Sequence, residues 1–135
     1  METIRTTYLG NLRTQAVHLQ SGSTIITDAP TDNHGKGEAF SPTDLLAASY
    51  ASCALTIIGI AAQTHGFNID GALVKTTKIM GDNPRRIVDL KVDFTFPANN
   101  YSDKERAIIE HSMRHCTVRN SLPPEFKITQ TVNYL

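Results

Sequence analysis

The chain has no tryptophan and only two cysteines, Cys53 and Cys116, among its 135 residues. Two thiols cannot build the disulfide framework of a small secreted domain or a four-thiolate zinc site. An excess of charge of either sign is missing too, because 13 Lys and Arg balance 13 Asp and Glu. Without a basic excess there is little counterion release to drive binding, so no nucleic acid is expected as a partner. The first residues, METIRTTYLGNLRTQAVHL, carry Glu2, Arg5 and Arg13 and no apolar run before a small-residue cleavage site. No export signal is therefore expected. Internal repeats, low-complexity tracts and linkers are lacking as well, and the length suits one domain, residues 1–135. What is present, 40% hydrophobic and 19% charged residues, is a globular balance that excludes wholesale disorder.

The one long uncharged stretch is Leu45 to Ala62, LLAASYASCALTIIGIAA. Its length approaches the ~20 residues of a spanning helix. Yet it holds Ser49, Ser52, Thr56 and six alanines, and its strongly hydrophobic residues are three Leu and three Ile. It reads as a buried helix of a soluble, cytoplasmic protein, with no membrane as partner. In a reducing compartment a resting structural disulfide would be unusual, which turns attention to a redox or metal role for the cysteines.

Alternation and turn residues predict three short strands in the first third: Ile4, Thr6 and Tyr8, then Arg13 to Leu19, then Ser23 to Ile26 after a Ser21-Gly22 turn. The polar segment Asp28–Ala39, with Pro30, Asn33, Gly35 and Gly37, predicts a loop of about a dozen residues, a length often tied to function. Ser41-Pro42-Thr43-Asp44 is a helix start: Ser41 suits the N-cap, Pro42 the first helical position, and Asp44 can complete a capping box. That helix should run to about Gly66. Strands at Ile69–Met80 and Arg86–Phe96 flank a Gly81-Asp82-Asn83-Pro84 turn, the second with Val88, Leu90, Val92, Phe94 and Phe96 on its buried face. Ser102 opens a second helix, along which Ile108, Ile109, Ser112, Met113 and Cys116 form one inward stripe. A last strand covers Phe126–Tyr134. The order β-β-β-α-β-β-α-β predicts an α+β fold, a largely antiparallel sheet with two helices on one face. The first helix is apolar or small almost all round and must be covered on every side, which one small domain does poorly; a homodimer is the expected solution.

Cys53 lies in the middle of the first helix and Cys116 on the stripe of the second. Both could be small hydrophobes in a core, or two inward thiols that meet at one site and cycle between dithiol and disulfide. Spacing alone leaves both readings open. Cys53 is about 18 Å along the helix from Ser41, too far for that helix's own dipole to stabilise a thiolate. A reactive Cys53 would need a basic neighbour, with Arg13, Arg85, Arg86 and Arg119 as candidates. His111 and His115 are a helical turn apart, but Cys116 points about 100° away from His115 and no H-E-x-x-H pattern is present, so neither a metal nor any other cofactor is expected. Gly35-Lys36-Gly37 lacks the rest of a P-loop and reads as a flexible loop.

The polar loop leading into Phe40-Ser41-Pro42-Thr43-Asp44-Leu45-Leu46-Ala47-Ala48-Ser49-Tyr50-Ala51-Ser52-Cys53 resembles the central helix of the OsmC/Ohr family, the osmotically inducible and organic hydroperoxide resistance proteins. Cys116-Thr117-Val118-Arg119-Asn120-Ser121-Leu122 resembles that family's C-P-V-x-x-S-L stretch, and the likeness spans essentially the whole chain. It implies an intertwined homodimer with active sites at the interface and a thiol-dependent peroxidase acting on organic hydroperoxides. Cys53 would be the peroxidatic thiol and Cys116 the resolving one, joined in a disulfide during turnover. Arg13, after Gly10-Asn11-Leu12, would be the family's arginine, polarising the hydroperoxide. A dithiol or a thiol protein would be the reductant. Leu46, Tyr50 and Ile57 are the expected lining of an alkyl pocket.

Two positions depart from the pattern. Thr43 stands where the hydroperoxide resistance branch has glutamate, with the carboxylate one residue later at Asp44, and Thr117 replaces the proline after the second cysteine. Asp44 therefore has two readings, a catalytic carboxylate or a helix cap. The same departures admit a second function, a non-catalytic stress protein that binds a small apolar ligand in the dimer-interface cleft.

Overall fold

A computed structural model describes residues 1–135, which form two compact units, 1–46 and 47–135. In the first unit, β1 (Ile4–Gly10), β2 (Arg13–His18) and β3 (Thr24–Asp28) make an antiparallel sheet in the order β1-β2-β3. The β1–β2 turn bends through three residues of positive φ, Gly10, Asn11 and Leu12. Leucine is uncommon there, and the Tyr8 hydroxyl accepts the Leu12 N–H at 3.2 Å. Beyond β3 the segment expected to be flexible is pinned. Gly35 N–H bonds to Pro30 O and Gly37 N–H to Ala29 O. A Cβ at Gly35 would lie 1.7 Å from Ala29 O, so this close approach requires glycine.

Helix α1 (Pro42–Thr64) starts with the expected capping box: Asp44 N–H donates to Ser41 Oγ at 3.1 Å and Ser41 N–H to Asp44 Oδ2 at 2.9 Å. It closes in a Schellman turn at Gly66, with φ +77°, where Phe67 N–H reaches Ala62 O. By length and composition α1 could cross a membrane. Its stripe Ala47, Tyr50, Ala54, Ile58 and Ala62 is buried in protein.

The second unit is built on a sheet ordered β4-β5-β6, from β4 (Leu73–Gly81), β5 (Arg86–Phe96) and β6 (Ile128–Tyr134). Leu90, Val92, Phe94 and Phe96 of β5 are wholly buried, as their alternation predicts. The pattern breaks at Val88, which is exposed while Asp89 is buried. The register shifts between Ile79 and Met80, so Met80 faces Ile87 and Ile79 faces Asp89, leaving Val88 as the extra residue of a bulge. Asp89 is satisfied by Thr129 Oγ1 from β6. The β5–β6 pair is parallel, a departure from the hairpin-dominated expectation. The chain between these strands crosses over through helices, the connection parallel pairing demands.

Helix α2 (Asp103–Met113) carries a complete capping box between Ser102 and Glu105. It buries Ile109, Ser112 and Met113 but stops short of Cys116. Cys116 is instead the N-cap of a single helical turn, α3 (Thr117–Asn120). The inward stripe read through to Cys116 therefore ends at Met113. His115 Nδ1 is bonded to His111 O, a carbonyl of the frayed helix end, and the backbone redirects at Arg114 and His115.

Candidate functional site

Cys53 and Cys116 lie near enough that each thiol shifts the ionisation of the other. Both are free thiols, Cys116 wholly buried and Cys53 half-buried. The local fold explains the meeting. Cys53 lies three residues beyond Tyr50 on α1 and shares its side of the helix. Cys116, as N-cap, stands at the mouth of α3, where the first amides of a helical turn point outward without intrahelical partners.

Those amides define the electrostatics. Burial works against a thiolate at Cys53, but the Cys116 thiol and the backbone N–H groups of Val118 and Thr117 all donate to its sulfur and hold it below the usual cysteine range. For Cys116 burial pushes the thiol up, and the hydrogen bond it gives to Cys53 raises it further; Arg119 N–H, 3.4 Å from Cys116 Sγ, opposes this. The pair is thus polarised, with the lower thiol at Cys53 and the higher at Cys116.

Around the pair is a polar relay. Tyr50, with no exposed surface, donates from its hydroxyl to Gln130 Oε1 on β6 at 3.1 Å. Gln130 Nε2 in turn lies 3.3 Å from Met113 Sδ at the end of α2. Burial raises the Tyr50 phenol above its ordinary range, partly offset by a hydrogen bond from the Arg119 side chain. The same phenol feels both cysteines. Arg119, one of four candidate cations, is the arginine that the second unit brings to this cluster. Tyr50, expected as pocket lining, is wholly buried with its hydroxyl bonded to Gln130.

Arg13 has other company within the first unit. Its Nη2 is 2.8 Å from Glu38 Oε1 and 3.5 Å from Asp28 Oδ2. Asp28 accepts the Glu38 N–H, and this bond above all holds its carboxyl below the usual range; burial opposes it and the Arg13 charge assists. Asp28 Oδ1 is buried without a partner. Asp44 carries out the capping role, at the start of α1. Leu46 and Ile57 are half-buried residues of α1, and 46, 50, 53 and 57 recur at helical spacing along one stripe. Arg86 is occupied by the Asp82 and Pro84 carbonyls of its turn. His111 and His115 stack with ring centroids 4.4 Å apart, and no group of three or more His, Cys, Asp or Glu clusters as metal ligands.

Sequence reasoning missed the Thr117 and Val118 amides, Gln130 and Met113. Main-chain donors carry no residue signature. Thr117 did offer one clue, since a proline there would have no N–H to give.

Comparison with known proteins adds the following. The family model OsmC, described as OsmC-like protein, matches residues 35–131. A crystal structure from Psychrobacter arcticus, named for a proposed osmotic-stress-induced and detoxification-response role, is 48% identical, with TM-score 0.90 over 100% of this chain and 96% of that one. An organic hydroperoxide resistance protein OsmC from Legionella pneumophila shares 17% identity and a TM-score of 0.72, covering 98% of each chain. One from Elizabethkingia anophelis, also an organic hydroperoxide resistance protein, shares 16% identity and a TM-score of 0.76, covering 100% of this chain and 98% of that one. The curated proteins yield no match.

Proposed function

Because the chain belongs to the OsmC-like family, we propose that it is a thiol-dependent peroxidase that reduces organic hydroperoxides to alcohols in the cytoplasm. The observation that carries this reading is the polarised thiol pair: two free cysteines whose thiols shift each other, Cys53 held low and Cys116 held high, with the Arg119 N–H 3.4 Å from Cys116 Sγ. Two relatives of the same fold bear the name organic hydroperoxide resistance protein.

The steps balance as follows. The Cys53 thiolate attacks the distal oxygen of the hydroperoxide, the O–O bond breaks, and the alkoxide takes a proton to leave as alcohol. Cys53 is left as a sulfenic acid. The Cys116 sulfur then displaces hydroxide from it, the Cys116 proton completing a water molecule, and a Cys53–Cys116 disulfide forms. An external dithiol or thiol protein reduces this disulfide by exchange and is itself oxidised. Ile57, one turn beyond Cys53, offers an alkyl group a hydrocarbon neighbour, with Leu46 further back along the same stripe. Arg13 enters only as the cation that the family likeness assigns, its guanidinium being held by Glu38 and Asp28.

The second unit favours the catalytic reading over passive ligand binding. Thr117 departs from the C-P-V pattern, yet its amide is one of the donors to Cys53, so the departure adds to the thiolate's support. Purified protein with a dithiol should consume cumene hydroperoxide and Cys53→Ser should lose at least about 10²-fold of that rate; equal inertness of both would reject the proposal.

A further inference from the structure

Arg13 is shared between two carboxylates of the first unit that differ in kind. Glu38 Oε1 is the nearer, 2.8 Å from Arg13 Nη2, but the Glu38 side chain is 58% exposed. Asp28 Oδ2 lies 3.5 Å from the same nitrogen, on a side chain only 1% exposed. An ion pair in water holds a long side chain weakly, because solvent and salt screen it and either partner can swing away. A carboxylate shut off from water is costly to keep charged without a cation beside it. The backbone makes Asp28 the built partner. Arg13 opens β2, Asp28 closes β3, and the two stand opposite each other in the ladder. Main-chain bonds from Ala29 N–H to Leu12 O and from Asp28 N–H to Phe40 O fix both positions. The carboxylate is fixed as well, since Oδ2 accepts the Glu38 N–H at 3.0 Å, while Oδ1 is buried with no donor. Even the contact from Glu38 therefore comes from a backbone pinned to Asp28.

We infer that Asp28 is the positioning residue of Arg13: its buried carboxylate, rather than the exposed Glu38, keeps the guanidinium in place at the start of β2. Asp28 touches no reacting atom in this role and acts through Arg13. The inference rests on the peroxidase reading for what Arg13 then does, as the cation that polarises the hydroperoxide. Where the guanidinium is held can be measured with no hydroperoxide present, so the two can fail or stand separately.

The test is heteronuclear NMR of the Arg13 guanidinium in the reduced protein. A held guanidinium gives separate Nη signals, and one that rotates freely gives a single averaged signal. Wild type and Glu38→Gln should show separate signals, and Asp28→Asn an averaged one. Averaging in wild type or in Glu38→Gln, or separate signals in Asp28→Asn, would overturn the inference. Should Asp28→Asn fail to fold, Glu38→Gln decides on the same terms. A second arm reads the chemistry. Asp28→Asn should slow oxidation of Cys53 by cumene hydroperoxide about tenfold, the effect of weakening one hydrogen bond to a charged group. In an Arg13→Ala background the same substitution should slow it no further, because both changes break one link. A merely structural Asp28 would slow both backgrounds alike, and that result would also overturn the inference. If even the wild type leaves the hydroperoxide untouched, the peroxidase reading fails and the Arg13 signals alone decide what Asp28 does.

Discussion

At the scale of single residues, chemistry is concentrated in one asymmetry between two like side chains. Cys53 is half-buried and its thiol lies low; Cys116 is buried and its thiol lies high. Alkylation should therefore label Cys53 first, at pH values below the ordinary thiol range of about 8.5. Replacing Cys116 by alanine removes one donor and should shift the Cys53 profile upward. Stability follows the same sign. A depressed thiol stabilises the fold above its unfolded-state pKa, and that contribution is lost as pH falls through the folded value. Melting temperatures of wild type and Cys53→Ser should thus differ more at pH 9 than at pH 5 (roughly the two ends of this window); a constant difference would contradict the assignment. Both cysteines were visible in the sequence as candidates. Their meeting was not derivable from spacing, because it depends on α2 ending at Met113 and on the chain turning back at Arg114 and His115. The family likeness brought them together by pattern.

At the scale of elements, caps and breaks were legible and pairings were not. Ser41-Pro42-Thr43-Asp44 and Ser102 with Glu105 announce their helices because capping is local chemistry, and both boxes form with reciprocal bonds. The parallel β6 and the bulge at Val88 depend on partners far along the chain, which a local pattern cannot encode. The turn α3 is the element on which most depends, and it permits a narrow test. Proline is tolerated at a first helical position but has no N–H. Thr117→Pro should therefore keep the fold while removing one donor from Cys53, raising its titration midpoint, as read by thiolate absorbance. An unchanged midpoint in a folded variant would mean that the Thr117 amide does not support the thiolate. For comparison, Ser102→Ala should cost about 1 kcal/mol in denaturant unfolding and leave that midpoint alone.

At the scale of the whole molecule, what stands out is apolar surface without cover. On α1 the side opposite the buried stripe presents Ile60, 56% exposed, beside the small polar side chains of Ser49, Ser52 and Thr56. In the first unit Ile4, Tyr8 and Leu9 of β1 and Ile25 and Ile26 of β3 are exposed too. Surfaces of this kind are usually interfaces. The near-continuous apolar character of α1 already asked for a second copy of the chain, and the uncovered residues support that homodimer. Sedimentation at micromolar concentration should give the dimer mass, and Ile60→Glu should shift it toward monomer. A wild-type monomer would leave these faces unexplained.

The central claim, that Cys53 and Cys116 form one redox couple, is tested most directly by intact-mass and peptide mass spectrometry after one equivalent of cumene hydroperoxide. The account predicts the loss of two hydrogens from the chain, a Cys53–Cys116 linked peptide, and full recovery of both thiols with a dithiol. A chain that gains oxygen on Cys53 while Cys116 remains free to alkylate after unfolding, or that gains nothing at all, would contradict it.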